Sequence, residues 1–76
     1  MMDKQQIVAM IEAGLPGASA VVHGDDGRHF SAQIYFEGFQ GKTKLQQHRM
    51  VYQALGENMK EAIHALSIET FTKESS

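Results

Sequence analysis

The sequence predicts an α+β domain of order αββααβ, built as two layers, with a three-stranded mixed sheet and its helices on one face. Three observations predict it. Ile7, Val8, Ile11 and Leu15 recur at helical spacing, whereas Phe30, Ala32, Ile34 and Phe36 alternate with His29, Ser31, Gln33 and Tyr35 at the period of a strand. Two helical stretches then separate that strand from the last one. A connection of that kind is a right-handed crossover between parallel strands, while a short turn earlier in the chain joins the first two strands as an antiparallel hairpin. An amphipathic sheet with helices on one side gives the two-layer arrangement, with the second strand in the centre.

The elements follow in order. Asp3 is placed to cap the first helix, with Gln6 three residues on in capping-box position. Gly14 and the Leu15-Pro16-Gly17 stop end it. Ala18 to His23 reads as a short strand, Gly24-Asp25-Asp26-Gly27 as a turn, and Phe30 to Phe36 as the second strand. Gly38-Phe39-Gln40-Gly41 is the next turn. A helix from about Lys44 to Leu55, capped by Thr43 and terminated by Gly56, buries Val51 and Leu55. Glu57 to Ile63 reads as a short further helix, with Met59 and Ile63 four apart. His64 to Phe71 is the last strand, with Leu66 and Ile68 on one face.

Composition narrows the function. At 76 residues the chain is one small domain with a marginal core, and it has no cysteine to staple it. Residues 3–72 are expected to form the ordered core and 73–76 a flexible tail. A formal charge of −2, from 7 basic and 9 acidic residues, argues against strong non-specific phosphate binding. No apolar run approaches the roughly 20 residues of a membrane span. The opening Met1-Met2-Asp3-Lys4-Gln5-Gln6 lacks a signal-peptide pattern, so a cytoplasmic protein is expected. Catalytic machinery is not visible. Ser19, Ser31 and Ser67 lack an activating motif, and Asp25-Asp26 is turn chemistry. The chain reads as a binding module and not as an enzyme.

Two motifs need weighing. Gly41-Lys42-Thr43 looks like the end of a P-loop, but that loop requires a glycine where this chain has Phe36, so a turn and helix cap is the better reading. The histidines carry more. His23 ends the first strand, His29 begins the antiparallel second, and His64 begins a third parallel to the second. All three therefore fall at one edge of the sheet, on strands roughly 4.8 Å apart, where imidazoles converge on a metal. Strict alternation puts His29 with Ser31 on the open face and His64 with Leu66 and Ile68. His48, one turn into the main helix, lies at the opposite edge and reads as a packing residue.

The stretch Phe39-x-Gly41-x5-Gln47-His48-Arg49-Met50-Val51-Tyr52, followed by Ile63-His64-Ala65-Leu66-Ser67-Ile68, resembles the signature of the BolA family. In that family a Phe-x-Gly turn leads into a helix with an (Arg/Gln)-His-Arg-x-Val run, and a second histidine opens the last strand. Gly27-Arg28-His29-Phe30 looks like the family's Gly-Ser-x-His-Phe segment, and the likeness spans roughly Ile7 to Thr72. The resemblance implies a class II KH-like fold. It also implies partnership with a monothiol glutaredoxin, the pair holding a [2Fe–2S] cluster in iron–sulfur assembly, trafficking or iron sensing. The glutaredoxin supplies a cysteine thiolate and bound glutathione. This chain supplies His64 and a second ligand from the hairpin, where His23 and His29 are both available. The family's loop cysteine falls near Asp26, a poor ligand for a soft site. No cofactor is expected in the isolated protein, which is a monomer or weak homodimer.

The alternative is a nucleic-acid-binding regulator of transcription and stress morphology. It would use the KH-like scaffold and a basic patch of Lys42, Lys44 and Arg49, with DNA bound weakly. A KH clamp needs a Gly-x-x-Gly loop, and Leu55-Gly56-Glu57-Asn58-Met59 has one glycine and an acidic residue there. A third reading is a purely structural interaction domain.

Overall fold

The structure, a computed structural model, describes residues 3–24, 29–56 and 66–73. Helix α1 (Lys4–Gly14) begins at Asp3, whose carboxylate accepts from the Gln6 backbone N–H at 2.8 Å while the Gln6 side chain accepts from Asp3 N–H at 3.0 Å. That reciprocal box satisfies two of the amides that every helix start leaves over. Ile7 and Ile11 are fully buried on its inner face. Strand β1 (Ser19–His23) starts one residue later than expected. Ala18 N–H is taken by Leu15 O at 2.9 Å and so belongs to the turn.

Strand β2 (Phe30–Tyr35) buries Phe30, Ala32 and Ile34. Phe36 leaves the strand but still donates its N–H to Phe71 O at 3.0 Å. The turn expected over Gly38 to Gly41 begins as a short 3₁₀ helix, Glu37–Phe39. A Cβ at Gly38 would lie 2.5 Å from the Phe36 ring, which stands edge-on to buried Phe39, so any larger residue there would have to push that ring aside. Helix α2 (Lys44–Leu55) has the expected bounds, a Thr43–Gln46 capping box, and Gly56 at φ 72° as its terminator. Strand β3 (Leu66–Phe71) completes the sheet.

The sheet order is β1-β2-β3, with β1 antiparallel and β3 parallel to β2. This is the α+β architecture with a mixed three-stranded sheet. The expected helix over Glu57 to Ile63 and most of the Gly24–Gly27 turn lie outside the described residues. So do His64, Glu57-Asn58-Met59 of the candidate clamp loop, and residues 74–76 of the tail. Lys73 donates to Ser19 Oγ at 3.3 Å, across the end of the sheet.

Both helices pack on one face, over a core of Ile7, Ile11, Ile34, Phe39, Val51 and Leu55. The helices cross closely, since a Cβ at Gly14 would lie 2.5 Å from Ala54 Cβ. One core position on α2 is polar. Gln47 is buried, donates to Lys42 O at 2.9 Å and Phe39 O at 3.3 Å, and accepts from the buried Thr70 hydroxyl. The network ties the start of α2 to the end of β3, a contact reinforced by Lys44 Nζ on Thr70 O.

Candidate functional site

Strand pairing sorts the residues of the uncovered sheet face into rungs. Paired residues point to the same side, so one rung holds Ser19, Tyr35 and Phe71, the next Val21, Gln33 and Glu69, and the next His23, Ser31 and Ser67. The rungs grade from bulky to small. Tyr35 and Phe71 stack with centroids 5.0 Å apart at one end. At the other end Ser31 and Ser67, both exposed, leave open space beside His23.

His23 ends β1 directly opposite Ser31, and His29 immediately precedes β2. Both are exposed. Alternation carries His29 to the face of Ser31, so the two histidines are diagonal cross-strand neighbours, a relation that spans about 7–8 Å and is within reach of long side chains. A close backbone approach holds this end of the hairpin. At Gly24 a Cβ would sit 2.6 Å from Phe30 Cδ1 and 2.9 Å from His29 O, so only glycine lets β1 turn away beside the start of β2. His64 lies outside the described residues.

The donor chemistry suits half of a site. Among the described residues, no group of three or more His, Cys, Asp or Glu side chains converges to hold a metal ion. Two exposed imidazoles are good ligands for borderline metals, and the remaining ligands would have to come from elsewhere. His48 is half-buried on α2, whose start packs on the C-terminal end of β3, away from the hairpin histidines.

The basic residues form no single face. Lys44 and Arg49 are separated by about 140° around α2 at 3.6 residues per turn, and Lys42 precedes the helix. Lys44 is engaged, its ammonium bonded to Thr70 O and 5.5 Å from the Phe71 ring centroid. Sequence reasoning missed the Gln47–Thr70 pair. Its signal was Gln47 standing four before Val51 and eight before Leu55, on the buried stripe of α2. Among the described residues no helix is long and apolar enough to cross a membrane.

Comparison with known proteins places this arrangement. The family model described as BolA-like protein matches residues 14–75. Protein BOLA2 of Arabidopsis thaliana is 42% identical over 72 residues, covering 91% of this chain and 76% of that protein. The DNA-binding transcriptional regulator BolA of Escherichia coli is 36% identical over 44 residues, covering 58% of this chain and 42% of that protein. The chain spans only 12% and 37% of the length of two other plant relatives. Among solved structures, a bolA protein homologue from Coxiella burnetii superposes with a TM-score of 0.83 at 42% identity, over 95% of this chain and 92% of that one. Family model, relatives and fold agree, and the chain belongs to the BolA family.

Proposed function

We propose that the chain is an adaptor that pairs with a monothiol glutaredoxin to hold a bridging [2Fe–2S] cluster, in iron–sulfur assembly, trafficking or iron sensing. The observation that supports it is the pair of exposed imidazoles, His23 and His29, at the end of the open face where the other two members of the His23 rung are the serines Ser31 and Ser67. Small neighbours leave a docked partner room to bring its own sulfur ligands close. His64 is the chain's first ligand in this reading, and His23 or His29 the second. Imidazole in place of thiolate raises a cluster's reduction potential, as in Rieske centres. That favours transfer or sensing over low-potential electron transfer.

The test is to mix the protein with a cluster-loaded monothiol glutaredoxin and follow visible absorption and circular dichroism. His64→Ala is expected to abolish the spectrum distinctive of the mixed complex. Of His23→Ala and His29→Ala, one mimics that loss and the other is nearly silent. A wild-type spectrum from the His64 variant would overturn the assignment. The DNA-binding reading carried by the Escherichia coli relative's name would then gain ground, although Lys44 is committed to Thr70 and Phe71.

A further inference from the structure

The geometry points to a second docking site, on the free edge of β1: we propose that it takes an extended peptide from another protein as an added, antiparallel strand, with an apolar side chain seated between β1 and α1. The edge supplies the first reason. β1 is the outer strand of the sheet, and Ala20 N–H turns away from β2, donating to Glu12 Oε2 at 3.2 Å. In an antiparallel ladder such outward residues alternate with those that bond the neighbouring strand. Val22, two residues on, therefore also turns its N–H and C=O outward. With Ala20 N–H held by Glu12, the outward Val22 N–H and the outward carbonyls of Ala20 and Val22 remain for another strand to pair with.

The second reason is the groove beside that edge. Lys4, Gln5, Val8, Ala9, Glu12 and Val22 line an open apolar cleft of about 370 Å³ between α1 and β1. Edge hydrogen bonds aligned with a side-chain cleft are the two parts of peptide recognition by strand addition, the first giving affinity and the second specificity. This cleft lies on the helix side of β1, whereas His23 belongs to the opposite face, so the site is separate from the histidines.

Charge and length set the occupant. The short connection after α1 turns it back along β1, so with Glu12 on Ala20 N–H, Lys4 lies farther along the cleft in the direction of Val22. Lys4 and Glu12 are eight residues apart, about 12 Å at helical rise. Four residues of strand span about 14 Å. A peptide with an acidic residue, an apolar residue and a basic residue at alternate positions therefore meets Lys4, the cleft and Glu12 in turn. The order acidic to basic corresponds to a strand antiparallel to β1.

The probe is the end-capped peptide Thr-Glu-Thr-Leu-Thr-Lys-Thr, titrated into the isotope-labelled protein. Saturable amide shifts are expected at Val8, Ala9, Ala20 and Val22, with the fold otherwise unchanged. N-methylating the leucine amide is expected to weaken binding about tenfold, the effect of one lost hydrogen bond, whereas N-methylating either flanking threonine, whose N–H faces away from β1, should change it little. The reversed sequence, Thr-Lys-Thr-Leu-Thr-Glu-Thr, should bind worse by a similar factor. Ala9→Trp, on an exposed helix position, fills the cleft and should abolish binding. Glu12→Lys should weaken the original probe and accept one with its lysine changed to glutamate. Absence of shifts at millimolar peptide overturns the proposal, as does equal binding of the leucine-N-methylated or reversed probe. Concentration-dependent shifts at the same amides without peptide would overturn it in favour of a second copy of this chain. None of these outcomes touches the glutaredoxin reading, which is read out by a different spectrum on the other face.

Discussion

Gln47 is the one polar side chain among three core-facing positions on α2, and it bonds to two carbonyls and a hydroxyl. Removing it strands Thr70 Oγ1 in the interior and takes a donor from the part-buried Lys42 carbonyl, while Phe39 O keeps the Lys42 N–H at 3.1 Å. Leaving buried polar groups without partners costs about 1–3 kcal/mol each, so Gln47→Ala is expected to destabilise the domain by about 2–4 kcal/mol in urea unfolding. Thr70→Val added to Gln47→Leu should cost less than the sum of the two single changes, because both partners of one buried bond are then apolar. Gly24 makes the second residue-scale case. A methyl there would lie 2.6 Å from Phe30 and 2.9 Å from His29 O. Gly24→Ala should therefore lower stability by about 1–3 kcal/mol, the range for overpacking, and displace the His29 amide resonance more than that of any residue on α2. A silent His29 amide would show that the hairpin end adapts without moving its histidine. Composition alone does not reveal this role. Gly24 reads as turn chemistry, and only the approach of Phe30 explains why glycine is needed before the turn begins.

At the scale of elements, α1 and α2 were legible because their ends are written locally. Asp3–Gln6 and Thr43–Gln46 are side chains three residues apart that find each other within one turn, and Gly56 takes a positive φ. Alternation marked β2 for a similar reason. What the sequence left unread depends on contacts between elements. In the 3₁₀ segment at Glu37–Phe39 the Phe36 ring packs over Gly38 and against Phe39, and the bonding of Gln47 is set by β3, 23 residues away. The closeness of α1 to α2 is of the same kind. Gly14 ends α1 and looks like a stop signal, yet it is also the point where Ala54 approaches. Gly14→Ala gains up to about 1 kcal/mol of helix propensity, but inserts a methyl 2.5 Å from Ala54 Cβ. Overpacking costs about 1–3 kcal/mol, so net destabilisation is expected. Ala54→Gly should relieve only part of it, because Ala54 Cα would still lie 2.7 Å from the added methyl, giving a partial favourable coupling in a double-mutant cycle by thermal melting. Additive effects would mean that the helices move apart at no cost.

Across the whole molecule the sheet divides the labour. One face is closed by α1 and α2, and the other grades from the Tyr35–Phe71 stack to the small Ser31 and Ser67 beside His23. Topology made the shared end of His23 and His29 legible, because strand directions fix which ends share an edge. Which of the two would be the second ligand in the proposed adaptor was not legible, since both fall on the same face within one diagonal step. The donor inventory leads to a prediction about the isolated protein. The chain has no cysteine, and [2Fe–2S] clusters are held by four ligands in which thiolates predominate. His23 and His29 supply two imidazoles on the open face, and a third from His64 would still leave one position and every sulfur ligand unfilled. Anaerobic reconstitution of the protein with iron and sulfide alone is therefore expected to leave it colourless after desalting. Adding a monothiol glutaredoxin with glutathione to the same mixture should develop visible absorption in the fraction containing both proteins. Stoichiometric iron and sulfide retained by the protein alone would show that its imidazoles suffice, and would remove the need for a partner on which the adaptor reading rests.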